Sequence, residues 1–276
     1  MKPFLADLHI HTDLSPCAAD EMTPPAIVAA AVGAGLSLIA ICDHNAAGNI
    51  AAVQEAARRI AAGARPDHLG RPRRSASPAS LPGAGGLTVL AGIEITTAEE
   101  VHVLGLFREA PAAMATAEEV QKSLPPADAD YFRRFGPQHH LDAEGHVLGI
   151  ESRMLAMTSS LDLAAAIELI HQHGGLAIAA HVNRPSFSVL SQLGMFPPDA
   201  GFDAIEVFVP CDAGPDAAKA AAERFAVPGL PVIAGSDSHF PADIGRARTV
   251  CVMKAPTFEE LGLALRAVGG RSVRCA

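Results

Sequence analysis

The stretch FLADLHIHTDLS, residues 4–15, carries the strongest signal for the fold, an apolar run that ends in two histidines. The apolar run predicts a buried β-strand over residues 4–10. Because side chains alternate along a strand, His9 and His11 point to the same face, where both imidazoles can bind one metal ion. A single HxH pair is weak evidence for a metal site, so the interpretation depends on what the rest of the chain places beside it.

Similar apolar runs recur along the chain and alternate with alanine-rich stretches. Several are almost continuously apolar, which is typical of strands buried on both faces of a parallel sheet. The runs span residues 4–10, 36–42, 87–95, 101–107, 176–180, 204–209 and 231–235. The stretches that predict helices span residues 23–35, 47–63, 161–173, 215–226 and 256–268. This alternation around seven strands predicts a closed or nearly closed α/β barrel, which we expect to form one domain over residues 1–276.

Two segments interrupt the alternation of strands and helices. Residues 64–86 are rich in Pro, Gly, Ser and Arg and predict a flexible loop insertion. Residues 108–160 form a longer insertion or small cap, which we expect beside the site because it follows a strand with a candidate ligand. Within it, residues 140–151 combine alternating residues with an Ala-Glu-Gly turn and predict a β-hairpin.

The composition narrows the classes of function. The chain of 276 residues is 49% hydrophobic, which excludes wholesale disorder. Aromatic residues make up only 4%, which counts against a stacking platform for single-stranded nucleic acid. The formal net charge is −9, so an anionic substrate needs a local cation, such as a metal ion. The five cysteines are scattered along the chain, which predicts a location in the reducing cytoplasm. The sequence has no long apolar segment, so we expect no membrane contact. We also expect no obligate protein partner.

Residue types that bind metals recur where the predicted strands give way to loops. They are His44, Glu94, His102, His181, Asp237 and His239, with Asp43 beside His44. Barrel enzymes build their active sites at the rim formed by the carboxyl ends of the strands, and a chance convergence of this many ligand types is improbable. Together with His9 and His11, the set suits two or three divalent ions such as Zn, Mn or Fe. Asp7 shares the alternation of His9, so its carboxylate is a candidate to orient a ligand imidazole, with a polar group of a turn or of the core as the alternative.

Six motifs occur in a fixed order along the chain. They are DLHIHTDLS (7–15), AICDHN (40–45), GIE (92–94), VHVLGLF (101–107), AAHVNRPS (179–186) and GSDSH (235–239). As a set they resemble the motifs of the PHP (polymerase and histidinol phosphatase) family. The resemblance implies a distorted TIM-like (β/α)7 barrel, with a trinuclear metal site at its rim and the activity of a stand-alone metal-dependent phosphoesterase.

The resemblance also assigns ligands to each of the three ions. The first ion would be bound by His9, His11, Glu94 and Asp237. Glu94 would bridge to a second ion, which is also bound by His102 and His181. His44 and His239 would bind the third ion.

The chain departs from the family pattern at one ligand of the third ion. Family members commonly place an Asp five residues after the second His, where this chain has Pro16. Relatives that share the LSPCA…MTP segment have an acid just before the Met, which favours Glu21 as the substitute ligand. Asp20 and Asp13 are the alternatives, and a third ion that is weakly bound or absent also stays open.

The loop after the LAIAA strand holds candidates for substrate binding. Arg184 lies three residues past His181, and its planar guanidinium suits a phosphate beside the metals, with a surface salt bridge as the alternative. Ser186 can add a hydroxyl contact. His239, or a water on the third ion, is the candidate to protonate the leaving oxygen.

These residues predict hydrolysis of a phosphate monoester by a hydroxide formed on the metals. The expected substrate is a small phosphorylated molecule, a nucleotide or the end of a short oligonucleotide. One alternative is an amidohydrolase-type C–N hydrolase, although no lysine lies at the end of a predicted barrel strand. The other alternative is a catalytically degenerate domain that only binds metal.

Overall fold

A sheet of nine strands forms the frame of the computed structural model, which describes residues 1–63 and 86–276. In chain order the strands are β1 (Lys2–Ile10), β2 (Leu38–Ile41), β3 (Thr88–Thr96), β4 (His102–Phe107), β5 (His139–Leu141), β6 (Val147–Ile150), β7 (Leu176–Ala179), β8 (Ala204–Val207), β9 (Val232–Ala234), β10 (Thr249–Met253) and β11 (Ser272–Cys275). The order across the main sheet is β11-β10-β1-β2-β3-β4-β7-β8-β9, and β5 and β6 form a separate hairpin. The predicted loop at 64–86 lies, except for Gly86, outside the described residues.

The helices lie in the connections between the strands. They are α1 (Pro24–Gly33), α2 (Ile50–Ala61), α3 (Ala110–Gln121), α4 (Ala129–Phe135), α5 (Leu163–Gln172), α6 (Val189–Leu193), α7 (Pro215–Arg224) and α8 (Phe258–Leu265). Side-chain caps fix several of the starting points, as at α5, where the Asp162 carboxylate accepts a hydrogen bond from the amide of Ala165. In the described part of the chain, none of the helices has the length and apolar composition that a membrane crossing requires.

The main sheet curls until its two edges meet, which confirms the prediction of a nearly closed barrel. At the seam, the Cys275 thiol of β11 lies 3.8 Å from the carbonyl oxygen of Val232 in β9. Beyond β9, Ser238 forms a parallel bridge with Ile10 at the end of β1. All seven predicted strands are present, and β10 and β11 form an additional antiparallel pair between β1 and β9.

Side chains of the sheet alternate between two apolar clusters. In β2, Leu38 and Ala40 belong to one cluster with residues of β4, β7, β8 and β9, which places that cluster inside the curled sheet. Ile39 and Ile41 pack in the other cluster, between the sheet and the outer helices. Burying each such Leu or Ile contributes about 1.5–3 kcal/mol, so the alternation fixes which face of every strand looks into the barrel.

One strand runs against the expected parallel direction. β4 pairs antiparallel with both β3 and β7, with Thr96 opposite His102 and Val103 opposite Ala179. Only residues 97–101 connect β3 to β4, and a parallel crossover needs a dozen residues or more. The start of β4 therefore lies at the same end of the barrel as the ends of its neighbours.

The insertion at 108–160 contains α3, α4 and the β5–β6 hairpin, so the predicted hairpin is confirmed. It is fastened to the loop and helix that follow β2. The Asn45 amide donates hydrogen bonds to the carbonyls of Leu155 and Met157, each at 3.0 Å. Asn49 donates to the carbonyl of His139 at 3.0 Å. These contacts hold the insertion beside the barrel end that carries His44, and its assignment to one domain with the barrel stays a prediction.

Candidate metal centre

The carboxylate of Glu94 lies at the middle of a cluster of imidazoles. Glu94 is fully buried near the end of β3, on the face that looks into the barrel. The imidazole nitrogens around its two oxygens are His102 Nδ1 at 2.8 Å, His44 Nδ1 at 2.9 Å, His181 Nε2 at 3.1 Å, and His9 and His11 Nε2 at 3.4 Å each. A single side chain thus connects histidines from four parts of the chain that are distant in sequence.

A second carboxylate, Asp237, lies on the other side of the first two histidines. Its Oδ1 lies 2.9 Å from His11 Nε2 and 3.3 Å from His9 Nε2. His239 Nδ1 is 3.7 Å from the same oxygen, and the Arg184 guanidinium pairs with Oδ2. The cluster therefore contains each histidine that the sequence analysis assigned as a ligand, together with Glu94 and Asp237.

Local backbone geometry brings these side chains together. The pairing of β1 with β2 shifts register between Asp7 and Ile10. Because of this bulge, the consecutive side chains of Leu8 and His9 both point into the barrel. His181 and Asp237 both have positive φ, 29° and 49°, where non-glycine residues are uncommon. Strained conformations of this kind are held by the surrounding structure and cluster at functional sites.

Two ligand histidines are oriented by hydrogen bonds from their outer nitrogens. His9 Nδ1 donates to the buried Glu206 carboxylate at 2.9 Å, which directs Nε2 into the cluster. His11 Nδ1 lies 2.9 Å from the Ser15 hydroxyl, and Ser15 in turn donates to Asp43 at 2.7 Å. Asp43 also accepts from the backbone amide of Thr12 at 2.7 Å, so it fixes the loop that carries His11.

Glu206 is a functional residue that the sequence analysis did not identify. The available signal was a charged residue inside the apolar run at 204–209, a position where a strand normally buries an apolar side chain. The expectation that Asp7 orients a ligand was wrong, because its carboxylate accepts hydrogen bonds from Ser236 and from the amide of Gly245 at 2.8 Å instead. The bulge after Asp7 interrupts the alternation of side chains, so the side chains of Asp7 and His9 point in different directions.

The electrostatics of the cluster keep Glu94 and His11 in the form that binds a cation, whereas burial of His9 is outweighed by the carboxylates of Glu206, Asp237 and Glu94, which raise its pKa well above its usual range. Burial raises the pKa of Glu94, but the imidazoles of His102, His9 and His44 outweigh burial and hold that pKa well below its usual range. Burial, and next the neighbouring His239 and His44, lower the pKa of His11. A neutral imidazole and an ionised carboxylate are the protonation states that coordinate metals.

The donor atoms of the cluster are arranged to bind a divalent metal, because hydrogen bonds within the protein leave several of them without a partner. Glu94 Oε2, His102 Nδ1 and His181 Nδ1 are buried atoms that have no well-formed hydrogen bond. Three groups of donors can each surround an ion, namely His9, His11, Glu94 and Asp237; His44, Glu94 and His102; and His11, His44 and His239. Nitrogen and carboxylate donors of this kind suit Zn, Mn or Fe. Buried polar atoms without partners are costly, and coordination would satisfy Glu94 Oε2 and His102 Nδ1. His181, which the resemblance assigns to the second ion, belongs to none of these groups, where His44 stands with Glu94 and His102 instead.

The remaining sequence candidates lie in different surroundings. Asp13 is buried and contacts His139 Nδ1 at 2.8 Å, whereas Asp20 and Glu21 are exposed, and no acid of this loop belongs to the metal-binding groups. Ser186 is exposed on the loop after His181. Arg184 reaches Asp237 while its side chain stays 38% exposed, so it borders both the cluster and solvent.

Comparisons with known proteins agree with this fold. A family model described as PHP-associated matches residues 216–268. The chain is structurally similar to the lesion-specific endonuclease EndoQ of Pyrococcus furiosus, with a TM-score of 0.60 and 20% identity over 99% of this chain and 58% of the endonuclease. The family match, the fold and the ordered motifs together support a PHP-domain protein.

Two further solved structures share the fold over most of their own length. One is a protein of Bifidobacterium adolescentis described as a metal-dependent phosphoesterase, with a TM-score of 0.51 and 20% identity over 86% of this chain and 88% of that chain. The other is an amidohydrolase of Chromobacterium violaceum, with a TM-score of 0.52 and 22% identity over 87% and 89% of the two chains. No curated protein sequence matches the chain. Identities this low show a common fold alone.

Proposed function

We propose that this chain is a metal-dependent hydrolase that cleaves a phosphate monoester. The observation that carries the proposal is the arrangement of Glu94 and Asp237, two buried carboxylates that share His9 and His11 at one end of the barrel. Divalent ions bound there would supply Lewis acidity and a water of lowered pKa. The imidazole nitrogens and carboxylate oxygens of the cluster support metal binding. The side chains at the solvent side of the cluster are the candidates to contact the substrate.

Arg184 is the residue of this chain best placed to bind the phosphate. Its guanidinium contacts Asp237 and lies over the Phe208 ring, 5.6 Å from the ring centroid, which limits its rotation. A planar guanidinium can bind two phosphate oxygens at once and stabilise the charge that develops on them. Ser186 is exposed two residues further along the same loop, where its hydroxyl is a second candidate contact.

His239 serves this centre better as a ligand than as a proton donor. Its Nδ1 donates to the carbonyl of Asp237 at 2.8 Å, so the remaining nitrogen carries the lone pair. His239 also belongs to one metal-binding group with His11 and His44, and its ring stacks on that of His11 at 4.2 Å between ring centroids. We therefore assign protonation of the leaving oxygen to solvent.

The expected substrate class is a small phosphorylated molecule, a nucleotide or the end of a short oligonucleotide. A net charge of −9 disfavours a long polyanion, whose binding depends on many cationic contacts. Lys2 and Lys254 lie at the end of the barrel opposite the cluster. Lys122 and Lys219 are exposed and pair with nearby glutamates. None of the four lysines therefore supports the amidohydrolase alternative.

The test is a panel of phosphorylated metabolites and short 5′-phosphorylated oligonucleotides, assayed with the purified protein loaded with Mn or Zn. We expect metal-dependent release of phosphate from at least one monoester. Metal-dependent hydrolysis of amide or other C–N substrates, with no phosphate released from any ester, would overturn the proposal. Bound metal with neither activity would indicate the degenerate domain.

A further inference from the structure

The loop that follows β7 contacts the metal centre at two places. Arg184 pairs with Asp237, and the Phe187 ring stacks on the imidazole of His102, with 4.8 Å between ring centroids and an interplanar angle of 21°. The amide of His102 also donates to the carbonyl of Phe187 at 2.9 Å, so ring and backbone both fix Phe187 against a candidate ligand. One loop thus brings a cation and an aromatic ring to the same cluster.

Hydrogen bonds and an unusual backbone conformation hold this loop in place. The amide of Arg184 donates to the carbonyl of His181 at 2.8 Å, and Ser188 Oγ donates to the carbonyl of Arg184 at 3.0 Å. Phe187 has a φ of 55°, which a bulky residue adopts only where the surrounding structure holds it. Because such conformations cluster at ligand-binding sites, the backbone of Phe187 indicates a role for its ring in binding.

Part of the Phe187 ring is open to solvent beside the metal centre. The residue is 41% exposed, and in the described part of the chain His102 is its one aromatic partner. Nδ1 of His102 belongs to a metal-binding group with Glu94, so a single imidazole separates the phenyl ring from the place of an ion. A ligand whose phosphoryl group lies on the metals therefore has the exposed part of this ring within reach.

We propose that Phe187 binds a flat aromatic ring of a phosphorylated ligand and thereby selects monoesters whose leaving group carries such a ring. This inference rests on the phosphate monoester hydrolase proposed above and names the substrate class of the same site. Arg184 binds the phosphate, and Phe187, three residues further along the fixed loop, stacks on the group attached to it. Stacked aromatic pairs are stabilised beyond the apolar area that they bury, because their quadrupoles are complementary.

The ring of the ligand can come from two sources, a nucleobase or an aryl alcohol. Both offer a flat face for stacking on Phe187. One phenyl ring serves one base or one aryl group and not a run of bases, which agrees with an aromatic content of only 4%.

The first test measures binding of two phosphonates to the metal-loaded protein by isothermal titration calorimetry. Phenylphosphonate carries a flat ring, whereas cyclohexylphosphonate carries an apolar ring of similar size that is not flat. The preference of the wild type for phenylphosphonate should fall about 2–10-fold in Phe187→Leu, since the variant keeps the apolar surface and loses the stacking. Phe187→Tyr should keep the preference. The matched control, Phe135→Leu on α4, replaces another exposed phenylalanine and should also keep it.

The second test distinguishes the two sources of the ring. Steady-state kinetics are measured with a nucleoside 5′-monophosphate, with phenyl phosphate and with glycerol 3-phosphate as the reference without a ring. Phe187→Leu should raise the KM of at least one of the two aromatic substrates about 2–10-fold. The kcat values, the KM of glycerol 3-phosphate and the metal content should match the wild type.

The outcomes separate this inference from the proposed activity. A wild type that does not bind phenylphosphonate, or an unchanged preference in Phe187→Leu, would overturn the inference. Lost metal or an equal fall in kcat on every substrate in Phe187→Leu would show that the ring only supports His102, which would overturn it as well. A preference that depends on Phe187 in a protein that hydrolyses no phosphate ester would leave the binding site standing and contradict the proposed function.

Discussion

His9 donates a hydrogen bond from Nδ1 to the carboxylate of Glu206 at 2.9 Å, although the two residues are 197 positions apart in sequence. The same carboxylate accepts the backbone amide of His181 at 3.0 Å. One buried side chain thus sets the orientation of one ligand and the backbone of another. Outer contacts of this kind determine how well a metal site is preorganised.

Glu206→Leu tests this role. One oxygen of Glu206, Oε2, accepts both hydrogen bonds, and a leucine side chain offers no acceptor, so His9 should lose its fixed orientation. We expect metal affinity to fall about 10–100-fold, measured by competition with a chromophoric chelator. Glu223→Leu, an exposed substitution on α7, is the control and should bind like the wild type. Equal affinities in all three proteins would show that Glu206 is not a positioning residue.

Gly235→Ala should damage the same contact from the opposite side. A Cβ at position 235 would collide with the Glu206 carboxylate and come within 3.1 Å of His9 Cβ. Overpacking of this kind costs about 1–3 kcal/mol, so the free energy of unfolding in urea should fall by that amount. Gly149→Ala in β6, where no atom lies within 4 Å of the added Cβ, should leave it unchanged. A stable Gly235→Ala protein with normal metal affinity would contradict the described packing.

Glu94 and His239 should differ in how many ions they support. Glu94 belongs to two of the metal-binding groups, whereas His239 belongs to one. Glu94→Gln should therefore lose more bound metal than His239→Ala, as measured by elemental analysis. Metal at about 100 times Kd raises the free energy of unfolding by about 2.7 kcal/mol and therefore raises Tm. Most of this rise in Tm should vanish in Glu94→Gln. Equal metal content in the two variants would disprove the bridging position of Glu94.

Arg184→Ala should separate substrate binding from metal binding. Loss of one charged donor at such a site costs about 10²–10³ in rate, while the metal content should stay intact because guanidinium is not a ligand. His181→Ala should lower both the metal content and the rate. The control is Arg246→Ala, since Arg246 is exposed and pairs with Asp243 at 3.0 Å. Full activity in Arg184→Ala would show that the metals alone bind the phosphate.

Much of the barrel could be predicted from the sequence because its strands are buried on both faces and nearly continuously apolar. The connection at 97–101 is too short for a parallel crossover, so β4 runs antiparallel to β3. This follows only once β3 and β4 are known to pair with each other. The pair β10 and β11 follows the last motif, and β10 joins β1 through antiparallel pairing that no local pattern specifies. Strand existence is local information, whereas partner and direction are not.

The histidines and acids of the motifs could be located because they fall at strand ends, where a barrel gathers them. Glu206 escaped notice because its partner His9 is remote in sequence and only the fold brings them together. Which residue takes the place of the acid that the family commonly has at position 16 depends on the path of the loop after β1, and the sequence does not specify that path. Sequence favoured Glu21, which is exposed, whereas Asp13 of the same loop is buried against His139.

We infer above all that the Glu94–Asp237 centre binds metals that are required for hydrolysis of a phosphate monoester. The most direct measurement is the rate of phosphate release from the panel's best substrate by the wild type, by the chelated wild type and by Glu94→Gln. We expect release by the metal-loaded wild type, loss on chelation, recovery on adding Mn or Zn, and no recovery in Glu94→Gln. Hydrolysis that persists after complete removal of metal, or that survives in Glu94→Gln, would contradict it.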